Sequence, residues 1–306
     1  MGDPPPPVVH GVLITYRRPD DLAAMLVAVA RQTLPLERLL VIDNDPTAPA
    51  RSVVERFAAN ADYVVAPENL GPAGGIALGV EHVLERAEPD DWVVVLDDDD
   101  PPTRDDAFEV LAAFGAEMRA ANARIGAVGL TGARFDRRAG RMVRVPDDEL
   151  HGAVPVDYVA GNQFPFYSVN ALREVGPPRA HLFFGFDDLE LGLRLADAGY
   201  ALHASGETWL RARAEAGRLG AVPGPSIRLE EPSWRRYYSL RNLIWILRDR
   251  GSLTGAARVT LVVGAAKPVA NLARDPVRAF RHMCLNARAV RDGWFGRMGR
   301  RLEPAP

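Results

Sequence analysis

Four consecutive aspartates, Asp97-Asp98-Asp99-Asp100, follow the apolar run Trp92 to Leu96. Adjacent carboxylates repel one another, and partial burial raises their pKa values unless a cation or hydrogen-bond donors compensate. Hard oxygen donors suit Mg²⁺ or Mn²⁺, ions that also bind diphosphates. The plainer alternative is a solvated acidic turn ahead of Pro101-Pro102. A second candidate is the stretch from Asn69 to Gly79 (NLGPAGGIALG), whose glycines could admit a diphosphate to the backbone at a helix N-terminus. After Gly71 the next glycine is Gly74, so the dinucleotide-binding spacing G-x-G-x-x-G is not met. Glycine-assisted helix packing is the competing reading. The third candidate is Phe183 to Glu190 (FFGFDDLE), where carboxylates against an aromatic wall could supply a general base. Asp187 and Asp188 could equally be a helix cap.

These groups need elements to position them. The run from Val8 to Tyr16 predicts a buried strand, and Pro19-Asp20-Asp21 opens a helix to about Arg31 with Asp as its cap. Strands are predicted at Leu39–Ile42, Tyr63–Val65 and Trp92–Leu96, and helices near 52–59, 73–87 and 105–121. This alternation with short connections indicates an α/β fold with a mostly parallel sheet flanked by helices. Ligands of such sheets lie beyond the carboxyl ends of the strands, where the four aspartates stand. A further strand is predicted at Ile125–Leu130, then a hairpin near 133–145, then an amphipathic helix from Asp187 to Ala198 stopped by Gly199. From Ser233 the chain reads as helical. The expected division is a disordered tail at 1–7, an α/β catalytic domain at 8–230 and a helical extension at 231–306.

Taken in order, ITYRRPDDL, RQTLP, LLVIDND, ENLGPAGGIALG, WVVVLDDDD and GFDDLELGLRL resemble the family-2 glycosyltransferases of the GT-A fold. The later RRYYSLRN and the basic helical tail look like the branch of bacterial rhamnosyl- and galactofuranosyltransferases. The resemblance implies a Rossmann-like sheet with a C-terminal helical extension. It implies that Thr15, Tyr16 and Arg18 border the donor nucleotide, that Asp43 reads the base, and that Asn69 and Gly74-Gly75 close over the diphosphate. Asp97 and Asp99 match the motif that holds Mn²⁺ or Mg²⁺, with Asp98 beside the donor. Asp188 matches the general base, flanked by Asp187 and Glu190 in support. Arg241 is either a diphosphate clamp or a structural arginine. Related enzymes often carry a metal-binding His after the catalytic helix; here Arg211 falls near that place, with His203 close in sequence. The implied donor is a UDP- or dTDP-sugar and the acceptor a small molecule or lipid-linked glycan. The alternatives are a nucleotidyltransferase and a degenerate nucleotide-sugar-binding protein.

Composition narrows the field. Among 306 residues Asp+Glu total 40 against 37 Lys+Arg, a net charge of −3, which argues against nucleic acid as the partner. The single cysteine, Cys284, excludes a disulfide framework and a Cys-based zinc site. No long apolar run predicts a membrane span, and the Pro-rich start is unlike a signal peptide, so a cytoplasmic location is expected. Lys267 is the sole lysine, an arginine bias of the kind GC-rich actinomycete coding produces. Arg274, Arg278, Arg281, Arg288 and Arg291 recur at helical spacing with Phe280, Cys284, Ala287 and Trp294 between them. That pattern suits peripheral contact with the inner face of an anionic membrane, or a solvated basic face whose apolar side packs inward.

Overall fold

The computed structural model describes residues 7–58, 60–122, 124–161, 163–221, 233–270 and 275–303. The first half alternates β1 (Val9–Thr15), α1 (Pro19–Ala30), β2 (Arg38–Asp43), α2 (Arg51–Phe57), β3 (Asp62–Val65), α3 (Gly71–Leu84), β4 (Trp92–Asp97), α4 (Ala107–Ala121) and β5 (Ile125–Gly129). Short strands β6 (Gly132–Asp136), β7 (Arg141–Val143), β8 (Ala153–Pro155), β9 (Tyr158–Val159) and β10 (Phe166–Ser168) come next. They lead into α5 (Val169–Val175), α6 (Asp187–Asp197), β11 (Ala201–Ser205) and α7 (Gly206–Glu215). The helical region comprises α8 (Ser233–Asp249), α9 (Leu253–Val259), a π-helical stretch Thr260–Ala266, α10 (Lys267–Ala270) and α11 (Pro276–Trp294).

The main sheet has the order β3-β2-β1-β4-β10-β5-β11-β8. Strands β3, β2, β1 and β4 are parallel, as the alternation requires. Beyond β4 the sheet is mixed, because β10 inserts antiparallel between β4 and β5, and β8 closes the far edge antiparallel to β11. The expected hairpin is β6–β7, and β9 extends it. Both faces of the sheet are covered, so its central strands read as unbroken apolar runs. On β1, Val12 and Ile14 pack with Ile76, Val80 and Val83 of α3, while Val9 and Leu13 pack with Leu22 and Met25 of α1 and Phe108 of α4.

Three local expectations change. Helix α1 begins after Arg18 with no side-chain cap; Asp20 and Asp21 occupy its first turn, where the helix dipole favours them. The boundary expected at 230/231 falls in 222–232, outside the described residues, as do 1–6 and Arg274. On either side of that gap the helical and α/β parts share one core, in which Tyr237, Tyr238 and Leu243 of α8 pack with Leu182, Phe183, Leu189 and Leu193. Finally, Phe280, Cys284 and Ala287 of α11 face solvent; the packed face carries Ala279, Asn286, Ala289 and Gly293 instead.

Gly71 opens α3 with φ +68°, and a Cβ there would collide with the carbonyl and ring of Phe183. This contact joins α3 to the loop leading into α6. Gly71→Ala combines a left-handed backbone with a clash, so it is expected to lower stability by about 2 kcal/mol or more, read as a lower Tm in thermal denaturation.

Candidate functional site

The carboxyl ends of β1 and β4 lie side by side, with Ile14 opposite Asp97, so their following loops meet. Asp98 is buried beneath the first-strand loop: it accepts Thr15 Oγ1 at 2.7 Å and Tyr16 N at 3.3 Å. Arg18 spans Asp98 and Asp99, 3.4 Å from the former and ion-paired with the latter. Thus Thr15, Tyr16 and Arg18, singled out for the nucleotide, are organised by the aspartate cluster itself. Arg17 has φ +59°, an uncommon conformation for a side-chain-bearing residue, and pairs with buried Asp45.

Asp97 is different. Among the described residues no hydrogen bond reaches its half-buried carboxylate. Burial pushes its pKa up to about 7, helped by the charges of Asp187 and then of Asp99, Asp98 and Asp100. The charge of Asp187, at the start of α6, is thus felt by Asp97 at the end of β4. Asp188, one residue on, accepts Leu189 N at 2.7 Å and Gly161 N at 3.4 Å. Burial raises the pKa of Asp187 and Asp188 alike, and the charge of Asp187 adds to the effect on Asp188. The neighbouring phenols of Tyr158 and Tyr167 are held neutral by burial and by the charge of Asp188. A half-buried carboxyl with raised proton affinity beside neutral rings is suited to take a proton near neutral pH.

The loop carrying this pair is strained and anchored. Phe183 and Phe186 both have φ +63°, and Phe186 serves as the left-handed entry to α6. From behind, the side-chain amide of Asn242 donates to the carbonyls of Leu182, Phe184 and Gly185 at 3.0, 2.9 and 2.9 Å. Arg241 is fully buried and donates to Leu182 O and Gly299 O, each at 2.7 Å. Arg241 is therefore no diphosphate clamp; its guanidinium is spent on backbone carbonyls that hold the α6 entry loop. Asn242 has no counterpart among the expected residues. Its sequence signal is a polar Arg-Asn pair inside a helix where Arg236 to Leu247 are all buried.

Several other expected contacts are occupied by the fold. Asp43 is fully buried, accepting Asp45 N at 3.0 Å, Ala50 N at 3.1 Å and Tyr63 Oη at 2.6 Å, and so ties the β2–α2 loop. Gly74 and Gly75 are buried inside α3, where a Cβ at 75 would meet Ile14 and Asn44, so they serve helix packing. Asn69 Oδ1 accepts Gly71 N at 2.9 Å in the turn before α3. Glu190 is buried and paired with Arg194 at 2.9 Å and Arg250 at 3.3 Å, an anchor for α6. Asp99 shares its charge with Arg18. Half-buried His203 lies on β11, its Nδ1 buried without a partner, and exposed Arg211 on α7 acts on Asp106. Neither joins the carboxylates, and among the described residues no three His, Cys, Asp or Glu are grouped to cage a metal.

The family model described as glycosyl transferase family 2 matches residues 12–149, which contain the β1 loop and all four aspartates. This part of the chain is similar to the family-2 glycosyltransferases. Galactofuranosyltransferase GlfT1 of Mycobacterium tuberculosis is 30% identical over 200 residues, covering 62% of this chain and 65% of that protein. GlfT1 of Mycolicibacterium smegmatis is 30% identical over 202 residues, covering 63% and 66%. The chain thus spans just under two thirds of these relatives' length. Both come from mycobacteria, in keeping with the actinomycete character of the arginine bias. A crystal structure of GalNAc-T7 with UDP, GalNAc and Mn²⁺ superposes with a TM-score of 0.56 at 12% identity, covering 80% of this chain and 48% of that one. The mannosyltransferase PcManGT of Pyrobaculum calidifontis covers 95% of this chain and 88% of its own at 19% identity, with a TM-score of 0.48. The fold is of the GT-A type, with a helical region after it.

Two outcomes follow for this site. A carboxyl whose pKa is raised from 3.8 to about 7 binds its proton more tightly folded than unfolded. Its destabilising effect is absent below the unfolded value and complete above pH 7, and Asp187 and Asp188 act in the same direction. Asp97→Asn is therefore expected to stabilise the ligand-free protein at pH 8 by on the order of 2 kcal/mol, and to make little difference at pH 4. Denaturant titrations at the two pH values measure this. Asn242→Ala removes the side-chain donor of Phe184 O and Gly185 O and leaves Leu182 O to Arg241, so a loss of about 2 kcal/mol is expected, with faster amide hydrogen exchange across 182–188.

Proposed function

We propose that the chain is an inverting glycosyltransferase that moves a sugar from a UDP- or dTDP-sugar to an acceptor hydroxyl, with Asp188 as general base. One observation carries the reading: Asp97 at the end of β4 and the Asp187-Asp188 pair at the start of α6 meet as mutually repelling, half-buried carboxylates. Such a cluster is costly unless it binds a cation or takes up protons, and sugar transfer from a nucleotide needs both capacities.

The cluster fits a divalent cation, Mn²⁺ or Mg²⁺, because Asp97 lacks a hydrogen-bond donor and is destabilised by charges such an ion would cancel. Asp97 would hold it, with Asp99 and Asp187 beside it. Among the described residues no three such side chains are grouped, so the donor's diphosphate would share in holding the ion. Bound in that place, the ion supplies neutralisation of the departing nucleoside diphosphate. The chain's own residues do the rest. The Thr15–Arg18 loop, pinned by Asp98, borders the nucleotide and presents Arg18. Asp188 takes the proton of the acceptor hydroxyl as its oxygen bonds to the anomeric carbon and the bond to the diphosphate breaks. A single displacement inverts that carbon.

The names of the mycobacterial relatives make galactofuranose the first sugar to test. Acceptors to test are glycans, free or lipid-linked, and a nucleotide-sugar donor fits the cytoplasmic location expected from composition. Among the described residues no helix is long and apolar enough to cross a membrane.

Transfer from UDP-galactofuranose, followed by UDP release, tests the reading. Asp188→Asn is expected to lower kcat by about 10²- to 10⁴-fold while keeping the thermal stabilisation by UDP. UDP at about 100 times its Kd should stabilise the chain by roughly 2.7 kcal/mol, and Asp97→Asn should remove the part that depends on Mn²⁺. Full activity in Asp188→Asn, with loss in Asp187→Asn, would move the base to Asp187.

A further inference from the structure

We propose that the exposed face of α11, with the neighbouring α9–α10 arm, docks on an anionic lipid bilayer. This deepens the reading of a lipid-linked acceptor, and its test does not depend on catalysis.

Helix α11 is spent on two faces. Its inner face packs closely on the rest of the helical region: Gly293 lies against Arg241 O and Ile244, and Asn286 donates to Val263 O at 3.1 Å and Gly264 O at 2.9 Å. The outer face carries Val277 (63% exposed), Phe280 (64%) and Cys284, spaced three and then four residues apart and hence on one stripe. The antiparallel arm, fixed by Trp294 Nε1 on Thr260 Oγ1 at 2.9 Å, adds Leu261 (65%) and Val269 (53%). Aliphatic and aromatic side chains exposed in such a group mark an interaction surface.

Charge selects the partner. After residue 250 the sequence has ten Lys and Arg against three Asp and Glu, in a chain whose net charge is −3. The first 250 residues are therefore strongly acidic. An anionic surface attracts the arm and repels the body, which orients the molecule. An apolar stripe flanked by arginines is the composition of an interfacial helix lying in the headgroup layer. At its N-terminal end, Arg278, Arg281, His282, Val277, Asp275 and Ser233 line an open cleft of about 410 Å³, of a size to receive a lipid phosphate. Ser233 begins α8, whose Trp234 meets Phe184 of the loop entering α6 edge to face, ring centroids 4.8 Å apart. The docking face and the proposed base thus share one short connection, through which a membrane-held acceptor would arrive.

Co-sedimentation of the full chain with phosphatidylcholine vesicles, with and without phosphatidylglycerol, tests the surface. Binding is expected to require phosphatidylglycerol and to weaken as salt rises. It should fall at least about tenfold in Arg278→Glu/Arg281→Glu and in Val277→Ser/Phe280→Ser, both with unchanged Tm. Binding indifferent to phosphatidylglycerol, or equal in both variants and the parent, would overturn the proposal. So would a self-association seen by analytical ultracentrifugation that Val277→Ser/Phe280→Ser abolishes, since a second copy would then cover the face. A chain that binds vesicles but transfers no sugar keeps the surface and loses the transferase; the converse result does the opposite.

Discussion

Everything about this molecule is arranged around an electrostatic conflict. Asp97, Asp187 and Asp188 are half-buried acids, and among the described residues none of them is ion-paired with an arginine. Desolvation and mutual repulsion both oppose their ionised forms, and the fold has to supply enough rigidity to keep them in place. A set of carboxylates held against its own repulsion stores the affinity that a cation or a proton later releases.

Two independent supports hold that arrangement. On one side the parallel half of the sheet, packed on both faces, fixes the ends of β1 and β4. Asp98 and Arg18 then lock the first-strand loop to the aspartates, setting one positive charge against two of the four carboxylates. On the other side the α6 entry loop takes two left-handed phenylalanine conformations, affordable because Asn242 and Arg241 bind its carbonyls from the helical region. The helical region is thus part of the site's framework. Its α8 is buried along most of its length, and α11 covers it with small residues so that the two backbones approach closely.

Division of labour among the charged residues also becomes clear. Glu190, next but one to Asp188, has three arginines nearby and is silent chemically. Asp43 holds three donors of its own loop and of β3. Chemistry is proposed for Asp97, Asp187 and Asp188, whose proton affinity the fold raises and to which no arginine is ion-paired among the described residues, and that difference separates frame from site.

The sequence by itself determined the alternating half of the fold, since period and punctuation there are local properties of strands and helices. It also marked the aspartate run and the Phe-Phe-Gly-Phe-Asp-Asp segment, because residue types that could do chemistry stand next to one another in the chain. The insertion of β10 between β4 and β5 was not legible, as three-residue strands carry no periodicity and their pairing is chosen by distant partners. Nor was the fate of each polar side chain. Arg241, Asp43 and Gly74-Gly75 have the composition of ligand contacts, yet tertiary packing brings backbone carbonyls, amides and a neighbouring strand against them. Whether a donor or acceptor is already satisfied depends on groups tens of residues away. The chain's letters named the acids; only the folded structure decided which of them are left unanswered.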